Sequence, residues 1–188
     1  MFTGIVQGTA KIAKIADREG LRTFTLDFPP GFCVDLAIGA SVSTDGVCLT
    51  VTELLSENQA TFDVMLQSLA ITTLGSYVEG DRANVERAAR DGAEIGGHPL
   101  SGHVDFTSEV VMVKSSDTNR LMRFSIPQDF RKYVFAKGYI AINGASLERA
   151  GLPAGMWTLG EPESGAGVQL ALNPVSYTHL RAHETKAN

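Results

Sequence analysis

The 188-residue sequence contains no run of lysine and arginine long enough to follow a phosphate backbone, and its formal net charge is −5. We therefore expect no nucleic-acid partner. Its apolar runs are too short to span a bilayer, and its first residues, MFTGIVQGTAK, lack the basic start and long apolar centre of a signal peptide. Only two cysteines are present, Cys33 and Cys48, which argues against a disulfide framework. These absences predict a soluble, cytoplasmic protein with reduced thiols and no membrane association.

The clearest pattern that is present is alternation of apolar and polar residues over short stretches. RTFTLDF, ASVSTDGVCLTVTEL and QATFDVML are rich in β-branched and aromatic residues and are separated by turn formers, which is typical of strands joined by turns. Gly31–Ile38 and Pro127–Ala136 each lie at or just after a proline and are predicted to form short helices. Because closed barrels are the usual way to remove sheet edges, we predict an all-β barrel protein with short helical segments.

A shift of 98 residues aligns the chain with itself without a gap. Gly4 then matches Gly102, and the Asp45–Gly46 pair matches Asn143–Gly144. Further matches are Val6 with Val104, Arg22 with Arg120, Pro29 with Pro127, Phe32 with Phe130 and Leu49 with Leu147. Ordinary strands would not easily bring glycine, proline and an acid or amide turn into one register. The first unit is therefore predicted to span residues 1–97, with a similar unit following it.

The repeat stops after Leu147. At Glu148–Leu152 the chain reads ERAGL where the first unit has TVTEL, and no strand resembling TFDVML is recognised in Thr158–Tyr177. The last residues, VSYTHLRAHETKAN, resemble read-through of a cloning or sequencing adapter. We therefore expect an incomplete second unit at residues 98–147 and an artefactual tail, outside the repeat, at 148–188. A divergent natural ending is the alternative.

Four motifs, MFTGIVQG, DGVCLTV, GGHPLSGHVD and KGYIAINGASL, closely resemble the riboflavin synthase family, in order, over about residues 1–147. The resemblance implies two tandem homologous six-stranded Greek-key β-barrels, each holding one pteridine, and a homotrimer built with a C-terminal helix. It implies that two molecules of 6,7-dimethyl-8-ribityllumazine become riboflavin and 5-amino-6-ribitylaminouracil by four-carbon transfer. The family needs no metal or organic cofactor, and much of its catalysis should come from proximity.

The resemblance implies a first ligand site on three segments of the first barrel. Its substrate-binding residues are Gly4, Ile5, Val6, Cys48, Leu49, Thr50, Asp63, Val64, Met65, Leu66, Gln67 and Ser68. Strand N–H and C=O groups complement the amide-like edge of a flat ring, and glycine allows close approach. Taken alone, TGIV is an ordinary first strand with a glycine bulge, and Cys48 is either a nucleophile or a small packing residue. Cys33 is assigned to packing.

A second site is implied in the second barrel. Its residues are Gly102, His103, Val104, Lys137, Asn143, Ser146 and Leu147. His103 takes the place of Ile5, and because an imidazole titrates near neutral pH, we expect it to face the second pocket and move protons. Ser146 takes the place of Cys48, whereas Asn143 stands where the family has an acid and cannot act as a carboxylate base. The predicted catalytic residues are His103, Ser146, Cys48 and Asn143.

Three functions stay open from the sequence. A riboflavin synthase is favoured because His103 and Cys48 are both retained, and a lumazine- or flavin-binding protein without catalysis is the alternative on the same fold. A ligand-free β-barrel domain does not account for the motifs. A metal site at His98 and His103 lacks a third ligand, so none is expected and His98 is predicted to be a structural loop residue. Because the second barrel is expected not to close, we also expect little synthase activity from this chain.

Overall fold

The computed structural model describes residues 1–90, 92–94, 96–115, 120–134, 138–148 and 167–172. Six strands of the first unit form a closed antiparallel barrel in the order β1-β2-β5-β4-β3-β6. They are β1 (Gly8–Arg18), β2 (Leu21–Asp27), β3 (Ser41–Thr44), β4 (Val47–Ser56), β5 (Gln59–Met65) and β6 (Arg82–Arg87). Helix α1 (Leu66–Ile71) and a 3-10 helix (Thr73–Ser76) connect β5 to β6. The predicted all-β barrel is confirmed.

The alternation in the sequence builds the core of this barrel. Along β4, Leu49 and Val51 are buried, whereas Thr50 between them is exposed. Phe62 and Val64 are buried in the same alternating way on β5. Other large side chains buried in this core are Ile12, Phe24, Leu26, Val42, Leu74 and Val85. Since burying one such side chain contributes about 1.5–3 kcal/mol, the first unit has a hydrophobic core of its own.

The prediction of a helix at Gly31–Ile38 is wrong, because the segment forms a series of turns. Gly31 and Asp35 have φ angles of 77° and 56°, left-handed values that end a helix rather than continue it. The guanidinium of Arg87 donates three hydrogen bonds, of 2.7 to 3.1 Å, to backbone carbonyls within residues 32–35. A long-range contact with β6 therefore stabilises the turns.

The second predicted helical segment is confirmed as a 3-10 helix at Gln128–Tyr133, directly after Pro127. Helix α1 was not predicted. It has no side chain that caps its N-terminus and no acidic residue in its first turn. The usual signals of a helix start are therefore missing from the sequence.

The described part of the second unit contains five strands in two sheets. They are β7 (Val110–Ser115), β8 (Arg120–Ser125), β9 (Tyr139–Ile142), β10 (Ala145–Glu148) and β11 (Gly167–Leu172), arranged as β7-β8-β11 and β9-β10. β11 pairs with β8 in the register in which β5 pairs with β2, since Leu170 opposes Met122 as Phe62 opposes Phe24.

Strand β11 corrects the expectation that Thr158–Tyr177 holds no equivalent of β5. Phe62 and its counterpart Leu170 are 108 positions apart, whereas the repeat elsewhere has an offset of 98. Ten additional residues therefore precede β11, and an alignment without gaps cannot find it.

The two units meet across a local twofold axis. The turns Asp45–Gly46 and Asn143–Gly144 have φ angles of 46°, 87°, 46° and 79°, as type I′ hairpin turns require. A Cβ on Gly46 would lie 2.9 Å from the backbone nitrogen of Gly144, and one on Gly144 would lie 2.8 Å from that of Gly46. Reciprocal contact between equivalent residues defines the axis. Among the described helices, none has the length and hydropathy to cross a membrane.

Candidate functional site: two slots completed by exchanged segments

A slot opens in the first barrel where β4 and β5 separate. Their pairing begins with Val51 opposite Phe62. Before that point β4 pairs only with β3, as in Cys48 opposite Ser43, and beyond it β5 pairs only with β2, as in Met65 opposite Leu21. Two strand edges therefore face each other without being paired to one another, and unpaired N–H and C=O groups bind polar edges of other molecules.

A segment of the second unit enters this slot. The backbone N–H of Cys48 donates to the carbonyl of Gly102 at 2.8 Å, and Val104 packs against the core of the first barrel. Gly102 has a φ of 79°, and a Cβ there would lie 2.7 Å from the Cβ of Cys48. Only glycine meets both conditions without strain.

The same arrangement recurs in the second unit, with the roles of the units reversed. The backbone N–H of Ser146 donates to the carbonyl of Gly4 at 2.9 Å. Gly4 has a φ of 73°, and a Cβ there would lie 2.3 Å from the Cβ of Ser146. We call the two places the Cys48 slot and the Ser146 slot.

These contacts correct the assignment of residues to pockets. The backbone of the segment that carries His103 lies beside Cys48 of the first barrel, but His103 also lines the cavity next to the second core, so its place facing the second pocket stays a prediction. By the same contacts, Gly4–Val6 lies beside Ser146 rather than beside Cys48. A repeat shows which residues are equivalent, but it does not show which copy a segment packs against. The exchange could therefore not be found from the sequence shift.

The predicted residues of the Cys48 slot divide into two groups. Cys48, Thr50, Asp63 and Met65 point away from the core, and Met65 is 61% exposed. Leu49 and Val64 point into the core, so only their backbones can meet a ligand. On α1, Leu66 and Gln67 are exposed and Ser68 is half-buried. The carboxylate of Asp63 accepts a hydrogen bond from Thr23 Oγ1 at 2.6 Å.

The Ser146 slot contains a contact that the sequence analysis missed. Nδ1 of His98 lies 2.9 Å from Ser146 Oγ, and the His98 ring stacks on Tyr139 with centroids 4.3 Å apart. His98 was predicted to be a structural loop residue. The 98-residue shift, which pairs Ser146 with Cys48, gives His98 no counterpart in the first unit. Leu147 points into the second core.

Asn143 is held mainly through its backbone. Its carbonyl accepts a hydrogen bond from Asn84 Nδ2 at 2.9 Å, and its left-handed φ suits an asparagine. Its counterpart Asp45 is buried and accepts hydrogen bonds from the Asn84 N–H and the Tyr77 hydroxyl. Burial, and then Asp45, raise the pKa of Tyr77. Asp45 therefore holds its own turn within the first unit, and the Asn84 side chain links that turn to the second unit.

Two other residues were predicted for the site, His103 and Lys137. The side chain of His103 is exposed, and its backbone N–H donates to Ser101 Oγ at 3.1 Å. Lys137 lies outside the described residues. Cys33 is buried, and burial raises the pKa of its thiol, which fits its predicted packing role. Within the described ranges, no three His, Cys, Asp or Glu side chains cluster as a metal site would require.

A buried carboxylate holds the exchanged N-terminal segment in place. Glu86 accepts hydrogen bonds from the Thr3 N–H at 2.6 Å, from Thr3 Oγ1 at 2.7 Å and from the Gly4 N–H at 3.0 Å. The first barrel thereby fixes the glycine that touches Ser146. Glu86 was not identified from the sequence, because it lies in an ordinary strand pattern.

A cavity of about 820 Å³ opens beside the slots, where the two units meet, and Asp45 and Thr72 of the first unit line it together with residues of the second unit. Its apolar lining includes Phe124, Ile126 and Ile142, of which Phe124 belongs to the second core and Ile142 packs against it. The cavity therefore extends from the second core to the contact between the units, and we take the slots, which carry the unpaired strand edges, as the candidate sites.

The fold and the paired slots define a protein built from two related β-barrel units, each of which completes the slot of the other. The family model described as the lumazine binding domain matches residues 3–88 and again residues 101–180. The second match continues beyond Leu147, where the likeness was expected to end. The prediction that residues 148–188 are artefactual concerns their origin and stays a prediction.

The chain belongs to the riboflavin synthase family. It is 40% identical over 187 residues to riboflavin synthase of Escherichia coli (strain K12), a match that covers 93% of this chain and 87% of that protein. Riboflavin synthase of Mycobacterium tuberculosis (strain ATCC 25618 / H37Rv) is 39% identical over 157 residues, covering 82% and 76%. The crystal structure of LumP complexed with riboflavin superimposes with a TM-score of 0.77 at 23% identity, covering 92% and 87% of the chains, which shows the shared fold.

Proposed function

We propose that the protein converts two molecules of 6,7-dimethyl-8-ribityllumazine into riboflavin and 5-amino-6-ribitylaminouracil. The observation that carries this proposal is the reciprocal pair of slots, with Gly102 at Cys48 and Gly4 at Ser146. Two equivalent sites suit a reaction in which both reactants are the same compound. The relatives named riboflavin synthase support the same reaction.

Each slot would bind the pyrimidine edge of one lumazine through unpaired strand backbone, with side chains around the ring. In the Cys48 slot these side chains are Thr50, Asp63 and Met65, together with His103. One lumazine gives a four-carbon unit to the other, and a proton leaves the acidic C7 methyl group of either the donor or the acceptor. The substrates supply every atom, so no organic cofactor is needed. Holding the two rings face to face supplies much of the rate.

The proposal also covers the oligomeric state of the protein and its location in the cell. We place the protein in the cytoplasm as a homotrimer, in which the Cys48 slot of one subunit faces the Ser146 slot of the next. Such facing slots would bring two lumazines together. β11 pairs with β8 as β5 pairs with β2, which supports activity of the second unit, contrary to the expectation that the chain would be nearly inactive.

A protein that only binds the ligand is the second candidate. Asn143, which cannot act as a carboxylate base, favours it. Incubation of the purified chain with 6,7-dimethyl-8-ribityllumazine separates the two functions. We expect equimolar riboflavin and 5-amino-6-ribitylaminouracil by liquid chromatography, with a slower rate in Ser146→Ala. Saturable binding without either product would establish the binding function instead.

A further inference from the structure

His98 lies between the two units and contacts the side chain of Ser146. The backbone N–H of His98 donates to the Thr3 carbonyl at 2.8 Å, and its ring stacks on Tyr139 at an interplanar angle of 15°. The ring is thereby held from two sides, and its Nδ1 lies at hydrogen-bonding distance, 2.9 Å, from Ser146 Oγ. This geometry is that of an imidazole poised to exchange a proton with a hydroxyl.

Two neighbouring contacts hold His98 close to Ser146. Gly97 precedes it, and a Cβ on Gly97 would lie 2.0 Å from the Thr3 carbonyl oxygen. Glu86 fixes the same Thr3 through its N–H and hydroxyl. The segment that carries His98 and the segment that carries Gly4 are therefore locked together on one side of Ser146.

The two slots differ at this point. Within the part of the chain that the structure describes, the Cys48 thiol has no imidazole hydrogen-bonded to it, whereas the Ser146 hydroxyl has one. A hydroxyl has too high a pKa to act alone as a base at neutral pH, and an adjacent imidazole is the usual means of activating it. Asn143, on the same hairpin, cannot take a proton. The chemistry of proton removal is therefore concentrated in the Ser146 slot.

We propose that His98 is a positioning residue that takes the proton of Ser146 during catalysis. This inference rests on the proposed function. As Oγ of Ser146 receives a proton from the C7 methyl of a lumazine in its slot, its own hydroxyl proton passes to Nδ1 of His98. The C–H bond breaks, and one O–H bond and one N–H bond form as the first O–H bond breaks. A neutral histidine and a neutral lumazine become an imidazolium and the lumazine carbanion.

Charged and titratable groups around His98 agree with this role. Tyr139 stacks on it from β9, and Glu86 of β6 lies one peptide away through Thr3. Glu86 therefore fixes the residue whose carbonyl accepts the His98 N–H.

Two variants of the full chain separate proton transfer from packing. His98→Phe keeps a ring against Tyr139 but removes the hydrogen bond to Ser146. His98→Asn keeps a polar atom near the position of Nδ1 but cannot take a proton. We expect both to lower kcat about 100-fold, the usual size of a general-base contribution, with KM and lumazine affinity changed less than about threefold. Lys14→Asn, a polar substitution at an exposed residue of β1, is the control, and we expect wild-type kcat.

A second readout does not depend on riboflavin formation. Exchange of the C7 methyl protons of bound 6,7-dimethyl-8-ribityllumazine with deuterium, followed by NMR above the spontaneous rate, reports proton removal alone. We expect both His98 variants to lose the protein-dependent exchange while keeping a wild-type melting temperature.

Wild-type kcat or exchange in His98→Asn would overturn the inference, because a hydrogen bond without proton transfer would then suffice. Unchanged kcat in His98→Phe would overturn it as well. If the wild type forms no riboflavin, the proposed function fails, and loss or retention of exchange in the variants still decides the role of His98.

Discussion

Gly4 and Gly102 allow two backbones to approach each other more closely than any side chain permits. Their carbonyls accept the N–H groups of Ser146 and Cys48 at 2.9 and 2.8 Å, and each has a positive φ. Any larger residue meets two penalties, a strained backbone and an overlap with the neighbouring side chain. The geometry of each slot therefore depends on one glycine from the opposite unit.

Gly102→Ala should weaken riboflavin binding in the Cys48 slot by at least about tenfold, because a shift of the segment moves both Cys48 and Val104. Gly20→Ala is the matched control, since Gly20 also has a positive φ of 84° but a Cβ added there would meet no atom within 4 Å. Fluorescence quenching gives the affinity and thermal unfolding gives the stability. Equal affinities in the two variants would show that the contact with Cys48 is unimportant.

Tyr77 should make stability depend on pH in the alkaline range. Burial and Asp45 raise its folded pKa above the usual 10.0, so above that pH the unfolded chain releases a proton that the folded chain retains. The free energy of unfolding then falls as pH rises, by up to about 1.4 kcal/mol per pH unit. Urea unfolding between pH 8 and pH 11 should show this slope. In Tyr77→Phe, the part of the slope that Tyr77 causes should be absent.

Tyr133→Phe is the control for the alkaline slope, because Tyr133 is 64% exposed. Tyr77→Phe should also cost about 1 kcal/mol near neutral pH through the lost hydrogen bond to Asp45. An alkaline slope that survives in Tyr77→Phe and disappears in Tyr133→Phe would contradict this assignment.

Some residues of the site could be predicted from the sequence and others could not. Cys48 and Ser146 were identified through the family resemblance, with the repeat making them counterparts, and both lie in the slots. His98 was missed because it contacts Ser146 only through a close approach of distant segments, which leaves no local pattern. Glu86 was missed for the same reason, since its partners Thr3 and Gly4 precede it by 83 and 82 residues in the sequence.

At the scale of elements, separation of β4 from β5 produces the slot. The alternation of apolar residues predicted both strands correctly, because one face of each is buried. It could not predict where they cease to pair, since that depends on the segment that enters between them. Similarly, β11 was missed because ten added residues shift its register in the repeat.

The entering segment gives a prediction for fragments. The first barrel is closed and has its own core, so residues 1–97 should fold alone, but they lack Gly102 and Val104. A fragment of residues 1–108 includes both and should bind riboflavin at least about tenfold more tightly than residues 1–97. Titration of riboflavin fluorescence compares them, with circular dichroism to verify that both are folded. Equal affinity would mean that the exchanged segment does not contribute to the slot.

At the scale of the whole molecule, the local twofold axis gives each chain two related slots. The sequence predicted this duplication through its 98-residue shift, but it left open how the units are placed relative to each other. That placement depends on the contact of Gly46 with Gly144 and on the bridge between Phe2 and Leu100. Both are long-range backbone contacts.

Two slots imply two bound ligands per chain. Calorimetric titration with 6,7-dimethyl-8-ribityllumazine under conditions without turnover should give a stoichiometry of two. Cys48→Trp should fill one slot and reduce the stoichiometry to one, while the matched core-cysteine variant Cys33→Ala should leave it at two. A wild-type stoichiometry of one would show that only one slot accepts the ligand.

The exchange of Gly4 and Gly102 between units also has a consequence for the origin of the chain. A single unit of this kind could not complete its own slot, because the missing segment always comes from the other copy. An ancestral gene that encoded one unit would therefore have worked only as a pair of identical subunits that swapped their N-terminal arms. Gene duplication and fusion then joined two subunits that already depended on each other, after which Cys48 and Ser146 were free to diverge.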